Sequence, residues 1–308
     1  MEDTGKADLG QAIRQTVEEI VDPAGRLLPT LPENRAMELA VSRQCSLGQI
    51  YMAALRLGIC PQRYIRNQNS ISIAEQLRLA ESRVAVIGAG GLGGTVILLL
   101  ARMGIGRLTV VDHDVFDETN LNRQFLSDPA VLGCSKAEEA RDAVAAVNPA
   151  IAVSAHRLRA EATNLPGLLA EAQVVVDCLD NVPDRFVLER AAQTSSIPLV
   201  HGALAGFTGR VMTIFPGDPG LQLLYGGEQE IVKGDPARPE AVLGVPTPTP
   251  AVIASLQAVE VMKIILQRGR LLRNRMLHLD LESGVPEVFY FAAGAEAAAD
   301  QADAMDRA

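Results

Sequence analysis

The spacing of apolar residues changes near residue 83, and the two sides of that change predict different structures. Before it, apolar residues recur every three to four positions over 33–59 and again over 71–82, which predicts helices. After it, short β-branched runs alternate with helical stretches. The predicted strands are 83–88, 107–112, 172–180 and 196–200, and the predicted helices are 95–104, 135–147 and 183–193. This alternation predicts an α/β fold, a doubly wound and mostly parallel Rossmann-like sheet.

The last third of the chain follows a different pattern. Residues 209–215 alternate between polar and apolar and predict an antiparallel strand, and the runs RMLHLDL and PEVFYF predict a C-terminal hairpin. An apolar helix is predicted at 250–266, after a long Pro- and Gly-rich crossing loop at 216–250. We therefore expect three regions: a helical N-terminal extension (1–62), a nucleotide-binding domain (63–291) and an Ala-rich flexible tail (292–308).

Composition narrows the function. The chain has 308 residues and a net charge of -9, so it is a poor candidate for nucleic-acid binding. Its N-terminus lacks the pattern of a signal peptide, and its longest apolar stretch is too short to span a membrane, so we expect a cytoplasmic protein without membrane contact. The four cysteines (45, 60, 134 and 178) form no CxxC pair, which argues against a zinc knuckle or a disulfide framework.

A glycine-rich segment between the first strand and its helix predicts an anion site. The glycines at 88, 90, 91 and 93 allow backbone N–H groups to approach a phosphate at a helix N-terminus. Asp112 follows Gly93 by 19 residues at the end of the next strand, where a carboxylate can accept hydrogen bonds from a ribose. This pair favours a nucleotide and leaves NAD and ATP both open, with tight helix–strand packing as the purely structural interpretation.

The segment after Asp112 favours a triphosphate. Asn120, Asn122, Arg123 and Gln124 follow at the adenosine end, and Lys136 starts the next predicted helix. A fixed guanidinium and an ammonium beside phosphates suit ATP better than hydride transfer. Arg123 and Lys136 would otherwise be solvated surface charges.

A third candidate segment ends the strand at 172–180. Asp180 is expected outside the carboxyl end of this strand, where it can hold Mg²⁺ on the phosphates, and Asn181 follows it. For Asp177 the simpler interpretation is a capping or core-edge carboxylate. Cys178 lies within an apolar run, so we expect a buried, inert thiol.

Together these motifs resemble the MoeB/ThiF/HesA family, the bacterial relatives of ubiquitin-activating enzymes. The matching pieces within 62–291 are GAGGLGG, VVDHD, TNLNRQF, GCSK, DCLDN and SLQAVEVMK. The resemblance implies an ATP- and Mg²⁺-dependent adenylyltransferase. Its substrate would be the C-terminal Gly-Gly carboxylate of a ubiquitin-like sulfur carrier, in molybdopterin, tungsten-cofactor or thiamine synthesis. The ATP site implied comprises Gly88, Gly90, Gly91, Gly93, Asp112, Asn120, Arg123, Lys136, Asp180 and Asn181.

The resemblance also implies a homodimer. Residues 63–67 are similar to a family motif whose second arginine reaches the partner's ATP, so Arg66 becomes a candidate catalytic residue with Arg123, Lys136 and Asp180. The motif here ends in Asn67 where Gln is usual, and an exposed arginine without a role is the alternative.

Two departures from the family pattern change the expectation. The family's zinc cysteines are missing, because no cysteine follows Cys178, and we expect Leu221, Leu223 and Leu224 to pack in their place without zinc. The same absence removes a cysteine for covalent capture of the carrier, so the chemistry is expected to stop at the adenylate. An NAD-binding oxidoreductase, adenylation of a small carboxylate and a non-catalytic ATP-binding scaffold remain the alternatives.

Overall fold

The computed structural model describes residues 2–22, 24–226 and 242–291, with the backbone alone for residues 2–8. The chain divides into two compact units. The first comprises Met1–Arg83, Leu98–Leu108 and Arg141–Ser154, and the second comprises Val84–Ile97, Thr109–Ala140 and Ala155–Ala308.

The first unit contains the N-terminal helices and a small sheet. Its first elements are α1 (Glu2–Gln15), β1 (Glu18–Val21), β2 (Leu27–Leu31), α2 (Glu33–Ser42), α3 (Leu47–Arg56), β3 (Cys60–Pro61), a 3-10 helix (Gln62–Asn67) and α4 (Ile73–Glu81). Helix α3 begins where Ser46 accepts from the backbone N–H of Gln49 and Gln49 accepts in return, a capping box. Its apolar face packs Ile50 and Ala54 into a core with Ile13 and Leu31.

A polar group in this first unit links α2, α3 and the 3-10 helix. The Arg63 guanidinium donates to Glu33 through Nε at 3.0 Å and lies 3.4 Å from the hydroxyl of Tyr51. Its Nη1 also donates to the carbonyl of Val147 at 2.9 Å. We call Glu33, Tyr51 and Arg63 the Arg63 cluster.

The remaining elements alternate as the pattern predicts. They are β4 (Arg83–Ile87), α5 (Gly91–Met103), β5 (Arg107–Val111), α6 (Lys136–Val147), β6 (Ala152–His156), α7 (Leu165–Leu169), β7 (Val174–Asp177), α8 (Val182–Thr194), β8 (Leu199–Ala205), β9 (Thr208–Ile214), α9 (Gln222–Tyr225), α10 (Pro248–Leu266), β10 (Arg275–Asp280) and β11 (Val285–Tyr290).

Eight of these strands form one sheet in the order β11-β10-β9-β8-β7-β4-β5-β6. β4, β7 and β8 pair in parallel, whereas β8 to β11 pair antiparallel. The chain extends the sheet in one direction from β4 to β6 and then returns to place β7 on the other side of β4. This reversal is a topological switch point, where the carboxyl ends of β4 and β7 leave a crevice. The predicted α/β class, with antiparallel C-terminal strands, is confirmed.

Helix α10 covers part of this sheet. Among the described residues, α10 is the helix whose length and hydropathy match those of a membrane span. It packs against β7, β8 and β9 and buries three polar residues, Thr249, Gln257 and Glu260. Glu260 accepts from the Thr213 hydroxyl at 2.6 Å and from the backbone N–H of Leu272 at 2.8 Å. These contacts make α10 a core helix of its unit.

The structure differs from the sequence-based expectation in several elements. The N-terminal extension contains the three-stranded sheet β1-β2-β3 besides its helices, and strand β6 and helix α7 were not anticipated. β1 (sequence EEIV) is mostly exposed, so it carries no apolar alternation to reveal it. Part of the predicted crossing loop (227–241) and the predicted tail (292–308) lie outside the described residues. The division at residues 62 and 291 stays a prediction.

Candidate active site

The glycine segment after β4 forms one wall of a cavity of about 440 Å³ in the second unit. Gly88, Gly90 and Gly91 line it. Gly88 has a φ of +98°, which favours glycine, and a Cβ there would overlap the carbonyl of Cys178 at the end of β7. Gly93 does not line the cavity, because it packs against the carbonyl of Gly88, which a Cβ at residue 93 would overlap. The predicted phosphate loop therefore divides into cavity-lining and packing glycines.

Asp112 holds this loop from the neighbouring strand. It directly follows β5, lines the cavity, and accepts from the backbone N–H of Ala89 at 2.7 Å and of Asp114 at 2.8 Å. A carboxylate has further lone pairs for hydroxyl donors after accepting two hydrogen bonds. The arrangement is consistent with ribose binding.

The two predicted cations, Arg123 and Lys136, both line this cavity. Lys136 starts α6 with its side chain 8% exposed, and its Nζ lies 3.3 Å from a carboxylate oxygen of Asp114 and 5.9 Å from the ring centroid of Phe116. Arg123 is oriented by its own segment, because Nη1 donates to the carbonyl of Thr119 at 2.8 Å and to Asn122 at 2.9 Å. A preoriented ammonium and guanidinium can stabilise negative charge at little reorganisation cost.

The turn after β7 forms another part of the cavity wall. Asp180 and Asn181 both line the cavity, and the Asp180 carboxylate is exposed there. Asn181 caps α8 by accepting from the backbone N–H of Asp184 at 3.0 Å, and its Nδ2 donates to Asp180 at 3.2 Å. The N-terminus of α8 therefore adds partial positive charge to this side of the site.

Three predicted site residues do not line the cavity. Gly93 packs as described above. Asn120 is buried and accepts from the backbone N–H of Asp117 at 3.2 Å, which caps the short 3-10 helix Glu118–Asn120. Arg66 lies exposed in the 3-10 helix of the first unit. Their roles toward ATP stay predictions.

The structure adds cavity residues that the sequence did not single out. Arg159 and Arg185 line the cavity, and Arg159 pairs with Asp184 at 2.6 Å. Arg185 lies four residues after the Asn181 cap, a spacing that places it one turn along α8 and that could have identified it. No comparable signal marks Arg159, which follows β6.

The cysteine beside the site, Cys178, is buried, as expected. Cys178 lines the cavity wall but is buried, and burial raises the pKa of its thiol well above the usual value, with a further contribution from Asp177.

The three leucines expected to pack in place of the family's zinc site differ in their burial. Leu221 is fully buried and Leu224 packs against the same core, whereas Leu223 is exposed.

A glycine loop, a strand-end carboxylate and two cations at a switch point define a nucleotide-binding α/β protein. The chain belongs to the ThiF family, whose model matches residues 63–297.

Several relatives are similar in sequence. The chain is 38% identical over 205 residues to the SAMP-activating enzyme E1 of Haloferax volcanii, covering 67% of this chain and 75% of the relative. It is 35% identical over 207 residues to the molybdopterin-synthase adenylyltransferase of Escherichia coli, covering 67% and 81%. It is 36% identical over 219 residues to a probable adenylyltransferase/sulfurtransferase, MoeZ, of Mycobacterium tuberculosis, covering 68% of this chain and 54% of the relative, so it spans about half that length.

Solved structures share the fold at lower identity. E. coli MccB with MccA-N7isoASN gives a TM-score of 0.63 at 22% identity, covering 75% of this chain and 72% of that one. A crystal structure of PaaA gives 0.61 at 17% identity, covering 90% and 99%. The predicted family and the class of enzyme, an adenylyltransferase, are confirmed by these relatives, and the NAD-binding oxidoreductase is not favoured.

Proposed function

We propose that this protein uses ATP to adenylate the C-terminal carboxylate of a ubiquitin-like sulfur carrier that ends in Gly-Gly. The observation that carries the proposal is the convergence of the glycine loop, Asp112, Arg123 and Lys136 on one cavity. A hydride-transfer enzyme would leave both cations without a role. The named relatives from Haloferax and Escherichia support the same substrate class.

The proposed reaction is a displacement at the α-phosphorus of ATP. A carboxylate oxygen of the carrier forms the new P–O bond, the bond from the α-phosphorus to the bridging oxygen breaks, and pyrophosphate leaves. A carboxylate is already ionised at neutral pH, so no general base is required. Backbone N–H groups at Gly90 and Gly91 would hold phosphate oxygens, and Arg123 and Lys136 would stabilise charge developing on them.

Asp180 fits the Mg²⁺ that such a reaction uses. Its exposed carboxylate at the cavity supplies the hard oxygen ligand that Mg²⁺ prefers. When bound, Mg²⁺ would neutralise charge on the triphosphate. We further propose that the protein functions without zinc, since no cysteine follows Cys178, and that sulfur comes from another protein after the adenylate is formed.

A homodimer in which Arg66 reaches the partner's ATP is part of the proposal. Arg66 is an exposed residue of its 3-10 helix, as an arginine acting on another chain requires. Sedimentation should detect a dimer. A fully active monomer would remove Arg66 from the site. A cytoplasmic location is proposed as well.

Pyrophosphate exchange into ATP tests the central proposal. Exchange should require a ubiquitin-like carrier ending in Gly-Gly and should vanish with the same carrier lacking those two residues. Arg123→Ala should lower the exchange rate roughly 100-fold or more. The matched control is Arg141→Ala, which removes an exposed guanidinium from α6 and should leave the rate unchanged. Full exchange in a folded Arg123→Ala variant would refute its role. Exchange driven only by small carboxylates would favour that alternative substrate.

A further inference from the structure

Four side chains from four different elements form a continuous hydrogen-bonded chain beneath the cavity wall. Arg185 on α8 donates through Nη1 to the Tyr225 hydroxyl at 2.7 Å. That hydroxyl lies 3.3 Å from Nε2 of His201, and Nδ1 of His201 lies 2.7 Å from Oδ2 of Asp177. We call these four residues the His201 chain. Three of them are almost completely buried, with Tyr225 half-buried at the end of α9.

The chemistry of the groups fixes the direction of every hydrogen bond. An ionised carboxylate only accepts, so Nδ1 of His201 carries the proton and donates to Asp177. Nε2 of the neutral ring is then an acceptor, which leaves the Tyr225 O–H as its donor. The Tyr225 oxygen accepts from Arg185, whose guanidinium can only donate. Burial lowers the pKa of His201, outweighing the opposite effect of Asp177, and so keeps the ring neutral as this arrangement requires.

Both ends of the His201 chain hold the same residue at the cavity. Oδ1 of Asp177 accepts from the backbone N–H of Leu179 at 3.0 Å. Arg185 donates through Nε and Nη2 to the carbonyl of Leu179 at 3.2 and 2.7 Å. Leu179 directly precedes Asp180 and Asn181, and all three residues line the cavity. The hydrogen bonds of the His201 chain therefore form a closed ring that passes through Leu179, the residue directly before Asp180.

A second contact fixes the element that supplies Tyr225. Glu189, one turn beyond Arg185 on α8, accepts from the backbone N–H of Leu221 at 2.8 Å, directly before α9. Gly220 packs so closely on this carboxylate that a Cβ there would overlap it. Arg185 and Glu189 thus lie on the same face of α8 and contact the two ends of α9. The position of Tyr225 therefore depends on the contact between Glu189 and Leu221 as well as on its own hydroxyl.

We propose that Asp177, His201 and Tyr225 are positioning residues, which act with Arg185 to fix the Leu179 peptide and thereby aim the Asp180 carboxylate into the cavity. The inference rests on the proposed adenylation for its kinetic consequence. Its structural consequence, the order of the 178–185 turn, is independent of any activity. None of the three residues contacts the reacting atoms in this assignment.

Tyr225→Phe tests the proposal with little change in packing. The phenylalanine keeps the ring contacts with Phe186 and His201, whose centroids lie 6.4 and 5.9 Å away, and removes only the hydroxyl that joins Arg185 to His201. Amide hydrogen exchange over 178–185 should become about tenfold faster. In the pyrophosphate-exchange assay kcat should fall about tenfold, while KM for ATP should change less than twofold.

Tyr51→Phe is the matched control, because it removes the hydroxyl of a buried tyrosine that also lies beside an arginine, in the Arg63 cluster. It should leave both the exchange at 178–185 and kcat unchanged. His201→Gln supplies the rescue, since its amide can donate to Asp177 and accept from Tyr225. We expect it to keep kcat within about threefold, whereas His201→Leu should lose about tenfold.

Two results would overturn the proposal. One is unchanged hydrogen exchange at 178–185 in folded Tyr225→Phe. The other is an equal loss of kcat in Tyr51→Phe, which would point to general destabilisation. If the wild-type protein shows no carrier-dependent exchange into ATP, the proposed function fails, and the hydrogen-exchange comparison still decides whether the His201 chain orders the turn.

Discussion

The two units each contain an arginine, a tyrosine and a carboxylate in hydrogen-bond contact, yet the two groups are built differently. In the Arg63 cluster the Arg63 side chain is 18% exposed and that of Glu33 is 39% exposed. In the His201 chain the corresponding values are 3% for Arg185 and 0% for Asp177. Water can therefore replace a lost partner in the first group but has little access to Asp177, Arg185 and His201 in the second.

The difference shows that burial, more than the identity of the groups, sets what a polar network does. A half-exposed ion pair contributes little to stability, because water screens it and competes for its partners. Removing one member of a buried network costs stability, because water cannot supply a new hydrogen-bond partner to the groups that remain. Such a network fixes geometry accurately only while it is complete. In this protein the complete, buried group is the one that lies beside the cavity.

The largest test of this comparison removes one carboxylate from each group. Asp177→Ala leaves His201 buried without its acceptor and removes the carboxylate that lies 3.8 Å from Nε of the buried Arg185, so it should lower the free energy of unfolding by about 3–5 kcal/mol. Glu33→Ala should lower it by about 1 kcal/mol or less. Urea denaturation followed by circular dichroism measures both. Equal losses of unfolding free energy in the two variants would contradict the conclusion that burial makes the two groups behave differently.

A smaller effect should appear on acidification. The pKa of His201 is below its usual 6.5 in the folded protein, chiefly because of burial, and Asp177, Arg185 and Arg210 act on it. The unfolded chain therefore binds this proton first, so stability is lost as the pH falls through 6.5. The stability of wild type relative to His201→Gln should fall between pH 7.5 and 5.5. A pH-independent difference in stability between wild type and His201→Gln would contradict the neutral buried ring.

The smallest predicted effect uses a buried thiol in each unit as a reporter. Burial raises the pKa of Cys60 to about 12 and that of Cys178 well above its usual value, so both react only when the structure opens locally. With Cys45 and Cys134 replaced by serine, Cys60 should be labelled roughly five times faster than Cys178 in mild urea, the ratio that about 1 kcal/mol gives. Faster labelling of Cys178 than of Cys60 would contradict the expectation that the unit with the His201 chain opens less readily.

Local sequence signals predicted the parts of the fold and site that are local. The glycine segment, Asp112 and Asp180 were each expected at a strand end, and strand ends of a parallel sheet meet at one edge. Arg123 and Lys136 follow from their positions after Asp112 and at a helix start. The short, exposed strand β1 gave no alternation to detect, so the N-terminal sheet was missed.

Residues that act through long-range contacts could not be found in this way. His201 and Asp177 are 24 positions apart, and Arg185 and Tyr225 are 40 apart, so only the pairing of β7 with β8 and the docking of α9 bring them together. Conversely, Gly93 and Asn120 stand in motifs that point to the nucleotide, yet their contacts are packing and capping. A motif marks a segment, and the backbone decides which of its side chains face the cavity.

The apolar character of α10 has a consequence for synthesis. The helix comes after β7, β8 and β9 in the chain, so the strands that it covers have left the ribosome before it does. At roughly 5–20 residues per second, the segment is synthesised within a few seconds after β9, the last of the strands that it covers. Circular permutation that moved α10 ahead of these strands would leave a membrane-like segment without a docking surface at its most aggregation-prone moment. The order of elements along the chain thus protects the nascent protein in addition to shaping the folded one.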